Sequence, residues 1–387
     1  MKRSLPVLAV LGAFAGAASA QSSVVLFGLV DLSVANTRGG SRLGGNNVTE
    51  LLDGVAYGPG SRWGMRVTED LGADLKAYVL LEAGFGADTG AQTQGNSNLG
   101  VASRVFGRQS FIALISPTFG EIRLGRQYAL HDEALAQNNP FGSTTVTGPG
   151  YYPSTSGTNP AARTGKLPFF VDSPRIDNAV HYISPSFGGF RVQAMVAAGE
   201  GTVSGASTPA GTIVPRYEAL KGSYANGPVV VALAYDQNRN GSVAGTHDKV
   251  LTLSANYDFG RIKILGGYQH TRDITLGGFA YSGVPSFTNV VPLNSATAAF
   301  TLDKIKAYTV GLAAPFGATL LGVNYTNVRY ENSTNTVDAN LGRFGIGAVH
   351  QLSKLTSLYA AASVATGDLK DSIQEKRVVQ VGLRKAF

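Results

Sequence analysis

Histidine, serine and cysteine most often build catalytic or metal sites, and none of them forms such a pattern in this sequence. The five histidines, at positions 131, 181, 247, 270 and 350, lack the spacing of metal ligands. Cysteine is absent, so neither a thiolate site nor a disulfide can form. There is no Gly-x-Ser-x-Gly turn, and the glycine-rich stretch 199–205 lacks the strand–loop–helix setting of a phosphate loop. The sequence predicts no catalytic centre, cofactor or metal.

Arginines on alternating stretches indicate a different chemistry, the attraction of anions. Side chains alternate across a strand, so Arg62 and Arg66 lie on the polar side of the stretch 61–68. Arg175 shares its face with Asp177 and His181. On a pore wall such arginines favour anions, whereas on an ordinary surface they are solvated charges. The elements that carry the arginines decide between these two interpretations.

The first 20 residues are expected to be removed from the mature protein. Lys2 and Arg3 open the segment, an apolar run follows, and Ala18-Ser19-Ala20 is a small-residue cleavage site. This is the pattern of a secretory signal peptide. Cleavage after Ala20 lowers the formal net charge from +7 to +5 and leaves 367 of the 387 residues. Such a moderate charge does not indicate a nucleic-acid-binding domain.

The composition favours strands with one face in lipid. Charged residues make up 15% of the chain, against about 25% in soluble domains. Glycine is abundant, with 49 residues, and the chain has 18 phenylalanines and 16 tyrosines. After the leader, no run reaches the roughly 18 apolar residues of a membrane helix.

Short turns divide the mature chain, residues 21–387, into sixteen strands. Pro and Gly favour the backbone angles of tight turns, and seven such turns alternate with longer polar connections. They lie at 69–72, 116–120, 184–188, 226–228, 258–260, 314–317 and 351–354. All short turns then lie at one end of the sheet and all long loops at the other, which is the layout of an outer-membrane barrel.

Alternation within the strands supports a barrel. In 251–257, 321–326 and 61–68, apolar residues lie on one face and polar residues on the other. In so wide a barrel the apolar face is the outside, because side chains cannot fill the interior. The last stretch, 377–387, alternates likewise and ends on Phe387, with Lys385 on the apolar face near the rim. Two stretches, 305–313 and 122–124, fit the alternation poorly.

The stretch 129–173 interrupts this pattern. It has no alternation and is rich in Gly, Pro, Asn, Ser and Thr, as long loops are. Loops beyond about 15 residues are usually functional or disordered. A linker between domains is the simpler alternative, but the same kind of strand module continues on both sides.

Four stretches carry a family resemblance: VVLFGLVDLSV after the leader, SRWGMRVTEDLG, GRQSFIALISPTFGEIRLGRQY, and VGLRKAF at the end. They resemble the general diffusion porins of Gram-negative bacteria, most closely the beta-proteobacterial branch. Asn139-Pro140-Phe141-Gly142 is similar to the bend in that family's third loop. The resemblance implies an all-β, 16-stranded antiparallel transmembrane β-barrel in the outer membrane, with loop 129–173 folded into the lumen.

The resemblance also implies a function and partners. The protein is expected to form a water-filled channel for passive diffusion of ions and small hydrophilic solutes, as a homotrimer in contact with outer-membrane lipid and lipopolysaccharide. Strands near loop 86–103, with residues such as Phe111, are expected to form the trimer contacts. A substrate-specific anion channel and an outer-membrane barrel enzyme are the alternatives, although no catalytic set supports the enzyme.

The implied pore constriction combines arginines with a few acids. Three arginines match family constriction positions, two more are weaker additions, one acid matches an inward carboxylate, and two acids begin the long loop. In that order they are Arg62, Arg126 and Arg175; Arg66 and Arg108; Glu82; Asp132 and Glu133. Arg126 shares the parity of Ile122 and Leu124, which conflicts with a polar lumen face. Either the strand bulges near Gly125 or the match of Arg126 to the family position is wrong. Because arginines outnumber acids, we expect a mild anion preference.

Overall fold

The computed structural model of the chain describes the barrel wall and parts of the loops. The described residues are 22–41, 44–54, 60–92, 104–136, 140, 154–156, 164–166, 169–170, 175–198, 216–239, 247–273, 304–331 and 338–387. The expected signal peptide, residues 1–20, lies outside them, as does most of loop 129–173. Across these ranges, no helix has both the length and the apolar character needed to span a bilayer.

Nineteen strands and one short helix account for the described secondary structure. The helix, α1, spans Leu130–Leu135. The strands are β1 (Ser23–Arg38), β2 (Asn47–Asp53), β3 (Arg62–Gly72), β4 (Leu75–Gly84), β5 (Gln109–Ser116), β6 (Gly120–Tyr128), β7 (Ser154–Ser156), β8 (Thr164–Lys166), β9 (Arg175–Ile183), β10 (Phe190–Ala197), β11 (Arg216–Asn226), β12 (Val229–Arg239), β13 (His247–Asp258), β14 (Lys263–Arg272), β15 (Lys304–Phe316), β16 (Thr319–Glu331), β17 (Asp338–Ser353), β18 (Thr356–Thr366) and β19 (Arg377–Ala386).

All strands except the β7–β8 hairpin belong to one closed antiparallel sheet. The sheet has 17 named strands, but β2 and β3 pair with successive halves of the same edge of β1. They are two parts of one interrupted wall strand. The barrel therefore has sixteen wall strands, and the strand count predicted from the turns is confirmed.

The barrel closes between its first and last strands. β1 pairs with β19 from Leu29↔Ala386 to Arg38↔Arg377. Beyond this ladder, the backbones of Gly28 and Phe387 exchange two hydrogen bonds of 3.0 Å each. A Cβ on Gly28 would lie 2.2 Å from the Phe387 ring, so only glycine lets the terminal aromatic ring lie there.

The turns lie where the sequence places them, with one shift. Gly120, Gly260 and Gly317 have the positive φ angles that these turns require. The turn expected at 69–72 instead has Ala73 (φ 49°) and Asp74 (φ 61°) at its centre. The prediction placed this turn a few residues too early, because the left-handed residues Ala73 and Asp74 are not glycines. The register between β3 and β4 also shifts between Asp70 and Gly72.

The barrel is apolar outside and polar inside, as the alternation predicts. On β13, Leu251, Leu253 and Tyr257 are about 40% exposed on the outer face. Thr252 and Ser254, on the inner face of the same strand, are completely buried. On β6, Ile122 and Leu124 are also exposed, so this stretch is a regular wall strand although its alternation looked poor.

One part of the inner face is apolar, which the sequence reasoning did not expect. On β15, Ile305 and Ala307 point inward, although Tyr308 and Val310 on the same strand are exposed outside. The inward pair joins a buried cluster with Phe169 and Phe170 from the end of loop 129–173 and with inner residues of β16–β19. Side chains in the stretch 305–313 therefore alternate between the inner and outer faces as in a regular strand. The inner ones are apolar because the end of loop 129–173 packs against them.

Candidate functional site

Glu82 is the centre of a charged cluster on the inner wall formed by β3, β4 and β5. The register places Glu82 opposite Gly64 and Gln109. Arg108 Nε donates to Glu82 Oε1 in a very short contact, and both side chains are only 7% exposed. Gln109 Nε2 donates to Glu82 Oε2 at 3.3 Å. Arg62 Nη1 lies 3.8 Å from Glu82 Oε1 and is 30% exposed, so its charge also reaches open space.

Tyr128 connects this cluster to the end of loop 129–173. Its hydroxyl accepts hydrogen bonds from Arg108 Nη2 at 2.8 Å and from Arg175 Nη2 at 3.2 Å. The Arg175 guanidinium also lies 4.9 Å from the Tyr128 ring centroid. Three arginines are thus held around one carboxylate and one phenol, which leaves a local excess of positive charge.

The start of the loop crosses to another part of the wall. α1 follows β6 directly but packs against β11, β12 and β13. Lys221 Nζ on β11 donates to Glu133 Oε2 of α1 at 2.5 Å. Lys221 shares the inner face with Ala219, opposite the exposed Leu220. α1 therefore lies on the inner face of the wall.

A buried polar cluster anchors α1 at its first residues. Tyr217, Asp236 and His131 are all 1% exposed or less. The Tyr217 hydroxyl donates to Asp236 Oδ1 and accepts from Leu130 N at 3.2 Å. His131 Nδ1 lies 3.1 Å from the same carboxylate oxygen. Buried polar groups strongly favour one arrangement, because each loses its partners if the helix moves.

The two acids predicted at the start of the loop lie in different surroundings. Glu133 is held by Lys221, so its charge is compensated. Asp132 interacts electrostatically with Arg108. Asp132 therefore reduces the positive charge near Glu82, whereas Glu133 does not contribute there.

Arg126 lies apart from the Glu82 cluster. It is opposite Ser110, whose parity is that of the outward Ile112 and Leu114. Arg126 Nε donates to Gly107 O at 2.7 Å, and Nη1 donates to Asp177 Oδ1 at 2.5 Å. The register slips here, between Gly125 and Gln127, as β6 pairs with β9. The wall strand is therefore irregular next to Gly125, at the position where the sequence showed the parity conflict of Arg126.

Arg66 lies on the inner face nearer the short turns, where its guanidinium is 4.1 Å from the Phe27 ring centroid. Arg123, which the sequence reasoning missed, is also on this inner face. Its Nε donates to Glu121 Oε1 at 2.6 Å, and its guanidinium lies 5.1 Å from the Phe111 ring. The alternation of Arg123 with Ile122 and Leu124 could have revealed it.

Phe111 corrects one expectation. It was expected in the trimer contacts, but it is 5% exposed and clusters with Leu80 and Ala113. Leu80 shares the face of Glu82, so Phe111 belongs to the inner wall. Parity counted from the exposed Ile112 would have placed it there.

Further along, loop 129–173 again contacts the inner wall. Pro140 is close enough to β15 that a Cβ on Gly311 would lie 2.9 Å from its Cγ. A cavity of about 480 Å³ lies beside Ala136 and Pro140, lined by inner residues of β12–β16 such as Asn256 and Leu265. No group of three or more metal-binding side chains occurs in the described part of the chain.

A charged, partly open wall inside a sixteen-stranded barrel is the arrangement of a channel. The sequence profile of the family described as Gram-negative porin matches residues 7–371. The chain belongs to this family. It is therefore an outer-membrane channel protein, and not an enzyme.

Two curated porins match this porin over their full lengths. An outer membrane porin protein of Bordetella pertussis is 30% identical over 409 aligned positions, covering 100% of both chains. Outer membrane porin protein 32 of Delftia acidovorans is 32% identical over 413 positions, again covering 100% of both.

Solved porin structures share the fold. An anion-selective porin from Comamonas acidovorans has a TM-score of 0.68 and 27% identity, covering 95% of this chain and 100% of its own. A trimer form of OmpT, an outer membrane protein of Vibrio cholerae, has a TM-score of 0.62 and 14% identity, covering 95% of this chain and 99% of its own. At that identity the OmpT comparison supports the fold alone.

Proposed function

We propose that this porin passes small hydrophilic solutes with a mild preference for anions, and that the arginines around Glu82 set that preference. The observation that carries the proposal is the convergence of Arg62, Arg108 and Arg175 on Glu82 and the Tyr128 hydroxyl. Arg66 adds positive charge at greater distance, and Asp132 moderates it. Arg126 and Glu133 contribute less, because they are paired with Asp177 and Lys221. The anion selectivity of the related Comamonas porin is consistent with this assignment.

The short range of electrostatic forces in salt solution supports a local origin of the selectivity. Charges separated by more than about 10 Å are screened at 0.1 M salt. An ion in the lumen therefore responds to wall charges close to its path much more than to the net charge of the protein. Arg62 is the best placed of these residues, because 30% of its side chain is exposed beside the cluster.

Loop 129–173 is proposed to narrow the lumen beside the arginines. Its beginning is held on β11–β13 by Lys221 and Tyr217, and Phe169–Phe170 near its end packs with inner residues of β15 and β16. Because both parts of the loop lie against the inner wall at β11–β16, we expect solutes to pass through the part of the lumen beside the Glu82 cluster.

The protein is also proposed to be a homotrimer, as the family resemblance implies. Unheated samples should migrate on a gel as a high-mass species and as a monomer after boiling. Migration as a monomer in mild detergent before heating, with conductance unchanged, would contradict this assembly.

Selectivity is tested by the reversal potential of single channels in a salt gradient. Arg62→Glu changes the local charge by two units. One unit charge at 4 Å contributes about 1 kcal/mol in water, so the anion-to-cation permeability ratio should fall roughly fivefold or more per unit.

The matched control is Arg261→Glu, on an exposed short turn away from the cluster. It should change the permeability ratio by less than twofold. A cation-selective wild type, or equal effects of the two substitutions, would remove the wall arginines from the mechanism. Saturable block by a single anion would instead indicate the alternative function, a substrate-specific anion channel.

A further inference from the structure

The cavity beside Ala136 and Pro140 lies at the periplasmic end of the lumen. Its volume of about 480 Å³ is within the range of about 300–1,000 Å³ that is usual for small-molecule sites. It borders the two short turns that join β13 to β14 and β15 to β16. Short turns are periplasmic in outer-membrane barrels. We call this space the vestibule cavity, and it lies on the side where entering solutes leave the channel.

Most of the lining of the vestibule cavity is apolar. Val230, Leu265, Ala313 and Leu320 contribute from β12, β14, β15 and β16. Leu265 and Ala313 are 3% and 5% exposed, so they belong to the inner face of the wall. Pro140 completes the apolar lining from the side of loop 129–173. Apolar surface next to water favours contact with an apolar part of a solute.

Asn256 is a buried polar side chain in this apolar lining. It is 7% exposed, and the register places it between Val230 on β12 and Leu265 on β14. Its Oδ1 atom accepts no hydrogen bond in the described structure. An unpaired buried acceptor is unfavourable, so a donor that a bound solute supplies at this position is favourable.

Two opposite charges also line the vestibule cavity. Asp258 and Lys263 are directly opposite each other in the register of β13 and β14. Asp258 Oδ1 accepts a hydrogen bond from Gly260 N at 2.7 Å, which holds the carboxylate at the turn. Neither side chain forms an ion pair within the described ranges. The cavity therefore presents one carboxylate and one ammonium group to the same small space.

These three polar side chains are close enough to contact one small molecule. Directly opposite residues of neighbouring strands are about 5 Å apart, and diagonal neighbours are about 7–8 Å apart. Lys263 is opposite Asp258 and diagonal to Asn256. Asp258 and Asn256 offer acceptors, whereas Lys263 offers donors. A ligand that satisfies all three carries a cationic donor and an anionic acceptor a few ångströms apart, together with an apolar part.

We propose that the vestibule cavity binds α-amino acids with apolar side chains. The ligand ammonium donates to Asp258 and to Asn256 Oδ1, the ligand carboxylate accepts from Lys263, and the ligand side chain packs against Leu265 and Leu320. Binding is weak, because Asp258 is exposed and exposed ion pairs contribute little. The site is formed by β12–β16, so it is separate from the arginines around Glu82 on β3–β5.

The test measures binding of L-phenylalanine to the purified detergent-solubilised protein by ligand-observed NMR titration, with empty micelles as the blank. Two analogues each lack one charged group: 3-phenylpropionate has no ammonium, and phenethylamine has no carboxylate. Glycine keeps both charges but has no apolar side chain. Each of these three compounds should bind at least fivefold more weakly than phenylalanine.

Substitutions assign each ligand group to its partner. Lys263→Gln should weaken phenylalanine binding about fivefold without weakening phenethylamine binding, because that analogue has no carboxylate. Asp258→Asn keeps an acceptor for Gly260 N and should weaken phenylalanine binding about threefold without weakening 3-phenylpropionate binding. The matched control Arg261→Gln removes a base from the same turn, outside the cavity lining, and should change binding less than twofold.

Two outcomes would overturn the proposal. One is equal binding of phenylalanine and its two analogues to the wild type, and the other is an equal loss of phenylalanine affinity in Lys263→Gln and Arg261→Gln. The result is independent of the proposed selectivity. Arg62→Glu, on another part of the wall, should bind phenylalanine within twofold of the wild type whether or not its reversal potential changes.

Discussion

The two sides of the lumen differ in kind. On one side, Glu82 gathers Arg62 and Arg108 in a cluster whose charges are partly open. On the other side, Phe169 and Phe170 are completely buried among the inner residues of β15–β19. The comparison teaches that the same two-residue alternation yields a partly open charged wall around Glu82 and a packed core where Phe169 and Phe170 lie against the wall. We expect the packed side to determine how far the barrel is filled and the charged side to determine which ions pass.

The largest expected effect comes from emptying the packed side. Replacing Phe169 and Phe170 by alanine removes two completely buried rings, and each Phe→Ala change in a core costs about 3–5 kcal/mol. We expect a lower unfolding temperature in detergent by circular dichroism and a larger, noisier conductance. Phe119→Ala, on an exposed turn, should change neither. Unchanged conductance in the double variant would show that the packed side does not limit the channel.

The next largest effect tests the charged side. Glu82→Gln keeps the shape of the side chain but leaves Arg62 and Arg108 without their carboxylate. Removing one partner of a buried ion pair costs roughly 3 kcal/mol, and anion preference should increase. Glu121→Gln breaks the Glu121–Arg123 pair, whose two side chains are 19% and 22% exposed, and should cost less than about 1 kcal/mol. Equal losses of stability would mean that burial does not distinguish the two pairs.

A smaller effect is expected where the loop begins to cross between the two sides. Tyr217→Phe removes the hydroxyl that donates to Asp236 and accepts from Leu130 N. Unsatisfied buried groups cost about 1–3 kcal/mol, and amide hydrogen exchange should accelerate in α1. Tyr182→Phe loses only an exposed bond to Phe119 O of 3.0 Å and should be nearly neutral. Unchanged exchange in Tyr217→Phe would exclude the hydroxyl as the anchor of α1.

The smallest effect concerns the connection 367–376 between β18 and β19, which contributes Leu369 and Ile373 to the packed side. A hydrogen bond from Lys376, at 2.6 Å, lowers the pKa of Asp371. A carboxyl with a lowered folded-state pKa stabilises the fold above its unfolded-state value and loses that contribution as the pH falls through the folded-state value. Acidification below about pH 4 should therefore loosen residues 367–376 slightly, as amide exchange would detect. Asp371→Asn should already show the looser loop at neutral pH and little further change in acid.

The wall was predictable from the sequence because its signals are local. Turn residues and a period of two are properties of neighbouring residues, and they gave the sixteen strands and the outward face of Leu251 and Leu253. The inward apolar residues such as Ile305 were not predictable in this way, since the partner that explains them, Phe169, is more than a hundred positions away in the chain. Alternation alone cannot identify such a partner.

The site was predictable in part, for a related reason. Glu82 and Arg62 lie on regular strands, where counting parity is sufficient to bring them to one face. Arg108 precedes β5, outside any regular alternation, and only the fold shows that its contact with Glu82 is shorter than that of Arg62. Arg126 remains a weaker proposal, because it is bound to Asp177 and Gly107.

The contact between Gly28 and Phe387 has a consequence for how the barrel is assembled in the membrane. Phe387 and Gly28 are far apart in the chain, yet their backbones exchange two hydrogen bonds next to the ladder between β19 and β1. Until β19 is in place, β1 and β18 both present unpaired edges, which a bilayer cannot hydrate. Closure also joins the most distant parts of the chain, and such contacts form slowly. The open edges of β1 and β18 must therefore be kept from the lipid, and from other open edges, until β19 has been exported and paired with both strands.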